Sequence, residues 1–303
     1  MNPPQRDIKQ AVVAEGPQGE IDLLREFQTI SDYICKKGII PDTRAYSNDF
    51  QSFLLHAHHV RPYDFIIPYC KGKNILEIGC FLGYGTLRMA KSASQVTAID
   101  SDKEALEFAK KHISLENITF LNTDAGRLPF PDESFDLAVA FQLIEHIPPC
   151  EIGNFLIESR RVLRKNGMLF LITPNRSFRL LPLQRPFNPE HYQEFTAKKL
   201  AKILKTYFDD IEIKGLRAKA WIEEMERKRV RRSYPLYIKG LIYNLLPSGF
   251  KSMLSKLHGQ SERAEMPDKS RFESMLQKFS LSDFYLADRD IEKSMDIFAI
   301  CRK

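Results

Sequence analysis

One stretch, Lys73 to Thr86, constrains the fold of this 303-residue chain more than any other. Ile75, Leu76 and Ile78 follow a lysine-glycine turn as a short apolar run, the pattern of a buried strand. Gly79, Gly83 and Gly85 then fall within one bend, where a backbone that turns with positive φ or approaches a ligand closely cannot carry a Cβ. After Gly85, the residues Leu87, Met89 and Ala90 begin a helix whose first amides face the loop. Further strands are expected at Gln95–Ile99, Ile118–Leu121, Phe135–Phe141 and Met168–Thr173. Helices are expected at Asp102–His112 and Glu151–Leu163. Strand and helix in alternation predict an α/β chain with a doubly wound, mostly parallel sheet.

The glycine spacing narrows the ligand. A dinucleotide fingerprint counted from Gly79 would need glycines where Phe81 and Tyr84 stand. What stands instead, Glu77-x-Gly79-x-x-x-Gly83-x-Gly85, resembles the first motif of class I S-adenosylmethionine-dependent methyltransferases. Further stretches carry the same resemblance: His59 to Tyr63, Phe141-Gln142-Leu143-Ile144-Glu145-His146, Thr173 to Arg176, and Asn188-Pro189-Glu190-His191 to Phe195. Together they look like a methyltransferase type 11-like bacterial subgroup often associated with surface-glycan pathways. The match covers roughly residues 55–215 plus Asp296 to Arg302.

The resemblance implies a Rossmann-like fold with a seven-stranded sheet and S-adenosyl-L-methionine as cofactor. It places the cofactor against Glu77, Gly79, Cys80, Phe81, Gly83, Gly85, Asp100, Ser101, Asp124, Ala125 and Phe141. Chemistry supports some of these positions independently. Asp100 closes the second strand about twenty residues beyond the loop, and a carboxylate can accept from both hydroxyls of a ribose. By resemblance, Asp124 meets the adenine amino group, and Glu77 with the amides around Gly79 holds the methionine end. A sulfonium methyl is already activated, so positioning supplies much of the acceleration. For a hydroxyl acceptor a general base assists, and His146 and His191 are the expected bases, in loops at the sheet edge.

Some related methyltransferases place Glu-x-x-Glu-His after the fourth strand, with a later histidine, to bind a divalent ion. Here Gln142 replaces the first glutamate, and an amide oxygen is a poorer ligand, so no metal is expected. His56, His58 and His59 also lack metal-ligand spacing: two are adjacent, and Val60 stands four residues after His56. Their stretch, Phe50 to Tyr69, is expected to be helical, broken at Pro62, and to face solvent or substrate.

Composition sets the remaining bounds. With 43% hydrophobic and 28% charged residues the chain is of ordinary globular character, and no apolar run is long enough to span a membrane. A cytoplasmic location is expected, with the scattered Cys35, Cys70, Cys80, Cys150 and Cys301 reduced. The net charge of +6 is local: from Arg217 to Lys256 ten Lys or Arg face three Glu, giving +7, and the rest of the chain is near −1. The expected organisation is a disordered lead and helical cap over 1–60, and a methyltransferase core over 61–215. A basic helical insertion or lid follows over 216–293, then the final strand over 294–303. The insertion is read first as a lid packed on the core, with contact to an anionic membrane through residues 217–257, at the inner face, as the alternative. No nucleic-acid partner is expected, for want of a base-stacking or groove-reading motif. The acceptor is expected to be a small molecule or a glycan or lipid-linked hydroxyl. A cofactor-binding protein without catalysis and a nicotinamide oxidoreductase are the competing classes.

Overall fold

The computed structural model describes residues 22–37, 50–181, 184–186, 188–231 and 269–303. Eight strands form one sheet: β1 Asn74–Ile78, β2 Gln95–Asp100, β3 Ile118–Asn122, β4 Phe135–Phe141, β5 Leu163–Pro174, β6 Asp210–Ala218, β7 Phe284–Ala287 and β8 Asp296–Arg302. Their order is β3-β2-β1-β4-β5-β8-β6-β7. The first five pair in parallel, while β8 runs antiparallel to both β5 and β6. The strand count exceeds the expected seven by β7, a four-residue edge strand antiparallel to β6. It lies within the segment expected as the helical insertion, and its half-buried pattern is too short to register as a period in sequence.

The described helices are α1 Leu23–Lys37, α2 Phe50–Cys70, α3 Tyr84–Ala90, α4 Lys103–His112, α5 Ile152–Val162, α6 Arg176–Arg179, α7 Ala197–Leu204, α8 Ala220–Arg231 and α9 Lys269–Leu276. They split between the two sheet faces. Ile75, Val139 and Phe170 pack with α1, α2 and α3 on one face; Leu76, Ala138 and Leu171 pack with α5 and α7 on the other. Alternate residues of β1 thus enter different cores, as the period of two requires.

Helix α2 departs from expectation. It runs unbroken through Pro62 and Pro68 for 21 residues, because it is buried on most of its circumference and tertiary packing outweighs the lost amide. His56 and His58 are buried rather than solvated. His56 Nε2 lies 2.7 Å from Glu26 Oε1 on α1, and Arg88 Nη1 of α3 donates to the other oxygen at 2.7 Å. Burial pushes the Glu26 carboxyl up, but Arg88 and His56 outweigh it and hold it low. A buried Arg88–Glu26 ion pair, with His56 on the same carboxyl, therefore ties α1 and α2 to the helix that follows the glycine loop.

Helix α8 packs on α2 and α6: Trp221 stacks on Phe50 with ring centroids 6.2 Å apart, and the Arg227 guanidinium sits 4.4 Å over Phe178. The lead at 1–20 and most of the basic segment 217–257 lie outside the described residues. Among the described residues no helix is long and apolar enough to cross a membrane.

Candidate active site

A cleft of about 170 Å³ opens at the carboxyl ends of β1, β2 and β4, where parallel α/β sheets place ligands. Its walls include Gly79, Asp100, Ser101, Asp124, Ala125 and His146, with Ile78, Ile99, Leu143 and Ile147 supplying apolar surface. Six of the residues singled out in the sequence are thus brought together. Glu77, Cys80, Phe81, Gly83, Gly85 and Phe141 do not line the cleft but support it, and His191, an expected base, does not line it either.

The supports explain the loop. Asp100 Oδ2 accepts from the Phe81 amide at 2.7 Å and Oδ1 from the Asp102 amide at 2.8 Å. This carboxylate therefore clamps the glycine loop to the end of β2, and burial raises its pKa. Lone-pair positions remain on a carboxylate that has accepted two bonds. Asp124 Oδ1 accepts from the Gly126 amide at 2.6 Å and stands exposed at the cleft mouth.

Glu77 is 1% exposed and shares the β1 face with Ile75, turned toward α2. Tyr63 of α2 donates its hydroxyl to Glu77 Oε1 at 2.8 Å, and the Thr86 hydroxyl donates to Oε2. Burial pushes the Glu77 carboxyl up to about 7. A Cβ on Gly85 would fall 2.0 Å from Tyr63 Cζ, so this glycine is required by the Tyr63 ring rather than by a ligand. That ring also lies 4.7 Å from Phe141, which places Tyr63 between the loop and the end of β4. Tyr63 lies in a stretch that carries the resemblance but is not among the expected site residues, since its bond to Glu77 joins a helix to a strand fourteen residues on.

Beyond β4 the chain turns at Gln142, whose φ of +52° is in the left-handed region, and enters the 3-10 turn Ile144–His146. Gln142 Nε2 donates to Asp296 Oδ2 at 2.8 Å, and His58 Nε2 lies 3.0 Å from the same oxygen. Glu145 is fully buried: Thr173 donates to Oε2 at 2.8 Å, and Oε1 has no hydrogen-bond partner among the described residues. Burial, with the negative charge of Asp296 and Glu194, raises this carboxyl to about 8. Burial, with neighbouring His191, lowers His146 to about 4.

His191 stands behind His146, their rings perpendicular with centroids 4.6 Å apart. Its Nδ1 lies 3.3 Å from Glu194 Oε1, and Arg179 Nε is 3.6 Å from that oxygen. Burial raises the Glu194 carboxyl, but Arg179 and His191 overcome it and hold it low. The loop bearing these residues is fixed to the turn by the Tyr192 amide, which donates to the Glu145 carbonyl at 2.9 Å. Glu145, His146 and His191 bring one donor atom each within 4.8 Å of one another, close enough to share a cation. Gln142, the other polar side chain of the turn, is committed to Asp296 instead. Glu194 lies in a stretch that carries the resemblance but is not among the expected site residues, and Arg179 carries no local signal.

Comparison with known proteins places this architecture. A family model described as a methyltransferase domain matches residues 76–171. A Mycobacterium tuberculosis protein named a probable S-adenosylmethionine-dependent methyltransferase is 34% identical over 169 residues, 55% of this chain and 60% of the relative. A demethylmenaquinone methyltransferase of Tropheryma whipplei is 30% identical over 156 residues, 51% of this chain and 62% of the relative. The chain thus spans about 60% of the length of these curated relatives. A solved S-adenosylmethionine-dependent methyltransferase from Archaeoglobus fulgidus superposes with a TM-score of 0.51 at 14% identity, over 80% of this chain and 92% of that one. Over residues 76–171 the chain is similar to a methyltransferase domain, and its sheet shares the fold of a solved S-adenosylmethionine-dependent methyltransferase.

Proposed function

We propose that this protein transfers a methyl group from S-adenosylmethionine to a hydroxyl of a small-molecule or glycan or lipid-linked acceptor. The observation that carries the reading is the convergence of Gly79, Asp100, Asp124 and His146 on one cleft at the strand ends. The residues present fit an adenosyl group: two carboxylates with lone pairs to spare for hydroxyl and amino donors, between the apolar walls of Ile78, Ile99, Leu143 and Ile147. When bound, the cofactor supplies a methyl activated on a sulfonium. Asp100 and Ser101 hold the ribose and Asp124 the adenine edge. Gly79 lets the backbone approach, while Tyr63 and Thr86 fix Glu77 beneath the methionine end. His146, at the cleft wall, and His191 behind it are placed to receive the proton that a hydroxyl acceptor gives up.

The packing of α8 on the cap supports the lid reading of the insertion, which puts acceptor selection at α2, α6 and α8. Thermal-shift measurements with S-adenosylhomocysteine and with NADH test the cofactor class. Stabilisation by the former alone is expected, and stabilisation by NADH alone would sink the proposal. Tight binding without turnover on any acceptor would favour the non-catalytic class.

A further inference from the structure

The turn after β4 supplies two of the side chains that line the cleft, Leu143 and His146, so whatever sets its path sets both. It begins at Gln142, whose φ of +52° is one that a residue with a Cβ keeps only where its surroundings hold it. The Gln142 amide donates to the Ile172 carbonyl of β5 at 2.9 Å, and its side chain reaches Asp296, the first residue of β8. Asp296 is 1% exposed, and its Oδ2 meets both Gln142 Nε2 at 2.8 Å and His58 Nε2 of α2 at 3.0 Å. A carboxylate only accepts, so Gln142 must present its amide nitrogen there. Beyond Gln142 the turn is closely fitted. A Cβ on Gly79 would fall 3.0 Å from Leu143 Cδ1, and the His146 amide donates to the Leu143 carbonyl at 2.9 Å. A rotation at Gln142 therefore moves Leu143 against the glycine loop and His146 along the cleft wall together.

We propose that Asp296 is a positioning residue of the active site: through Gln142 it holds the left-handed start of the turn, and so fixes where Leu143 and His146 stand in the cleft. The inference rests on the methyltransferase reading and adds to it a residue of the last strand. His58 on the same oxygen brings α2 into this hold, so the helix, β8 and the turn meet at one carboxylate. What the role requires at position 296 is an oxygen that accepts from Gln142. An asparagine supplies that oxygen, and a leucine of similar size does not.

Ring NMR of the full chain, labelled with 13C-histidine and treated with a chelator, reads the placement, with His146 assigned through His146→Asn and S-adenosylhomocysteine as the bound probe. Asp296→Leu should shift the His146 ring signal, leave that of His112 on α4 in place, and weaken S-adenosylhomocysteine binding about fivefold. Asp296→Asn, which still accepts from Gln142, should stay with the wild type in both readings. Gln142→Leu should reproduce the Asp296→Leu shift, and the two leucines together should go no further, since both cut one link. Gln142→Gly placed in the Asp296→Leu protein should draw the signal back, because glycine takes positive φ without a side chain to hold it. A His146 signal unmoved by Gln142→Leu, an Asp296→Asn spectrum shifted as far as that of Asp296→Leu, or additive shifts in the double leucine variant would each overturn the proposal. Gln142 is only half-buried, so Gln142→Leu carries the test alone should Asp296→Leu fail to fold. Failure of the wild type to bind S-adenosylhomocysteine would instead defeat the methyltransferase reading, with the ring signals of the free protein still deciding the role of Asp296.

Discussion

The two sides of the strand edge are built differently. The side proposed for the cofactor is local: Gly79, Asp100 and Asp124 sit at or just beyond the ends of β1, β2 and β3, and the parallel register of those strands aligns them. The side proposed for the acceptor is assembled from distant segments, with His58 from α2, Glu145 and His146 after β4, Arg179 from α6, Glu194 from the following loop and Asp296 from the start of β8. Strand order can place a few polar groups without much burial. Convergence of many segments buries charge, and each charge must then be matched by another. The first side is therefore robust and generic, and the second specific and expensive to alter.

That contrast can be broken at its strongest joint first. Glu26→Ala leaves Arg88 and His56 buried without their anion and should cost about 3–5 kcal/mol, read as a lowered denaturation midpoint. A loss near 1 kcal/mol would mean that the cap is not tied to the loop helix electrostatically. Gly85→Ala should follow, at about 1–3 kcal/mol, because its Cβ meets the Tyr63 ring. Combining it with Tyr63→Ala should cost less than the sum of the two single variants, and simple additivity would contradict the packing account.

The buried carboxyls sharpen the comparison through pH. Glu77 and Glu145 bind protons more tightly in the fold, near 7 and 8, than a glutamate at its ordinary 4.5. Their contribution to stability is full below about pH 4.5. It is lost as pH rises, because the unfolded chain ionises first while the folded one does so only through pH 7 to 8. Glu77→Gln and Glu145→Gln should each flatten this decline, by about 1–3 kcal/mol between pH 5 and 8. An unchanged profile would show that neither carboxyl is protonated in the fold. The smallest effect belongs to the generic side: Asp102→Ala removes the N-cap of α4, which accepts from the Glu104 and Ala105 amides, and should cost about 1 kcal/mol.

Legibility in sequence follows the same division. Strands β1 to β5, the glycine loop, Asp100 and Asp124 were readable because each rests on a short pattern: an apolar run, a glycine spacing, an acid at a strand end. Glu77 was readable as a motif member but not in its setting, since its partner Tyr63 lies on another helix. Pro62 misled because a local breaker signal was overruled by burial of α2. The pairing of Glu194 with Arg179, and the diversion of Gln142 to Asp296, depend on contacts between segments that no local window contains.

The central claim is that the cleft at Asp100 and Asp124 takes the adenosyl group, and equilibrium binding of S-adenosylhomocysteine to the wild type and to Asp124→Ala tests it most directly. Asp124 is exposed at the cleft mouth, so its loss should spare the melting temperature while weakening binding about tenfold, roughly 1.4 kcal/mol. A wild type that does not bind, or a variant that binds just as well, would contradict the account.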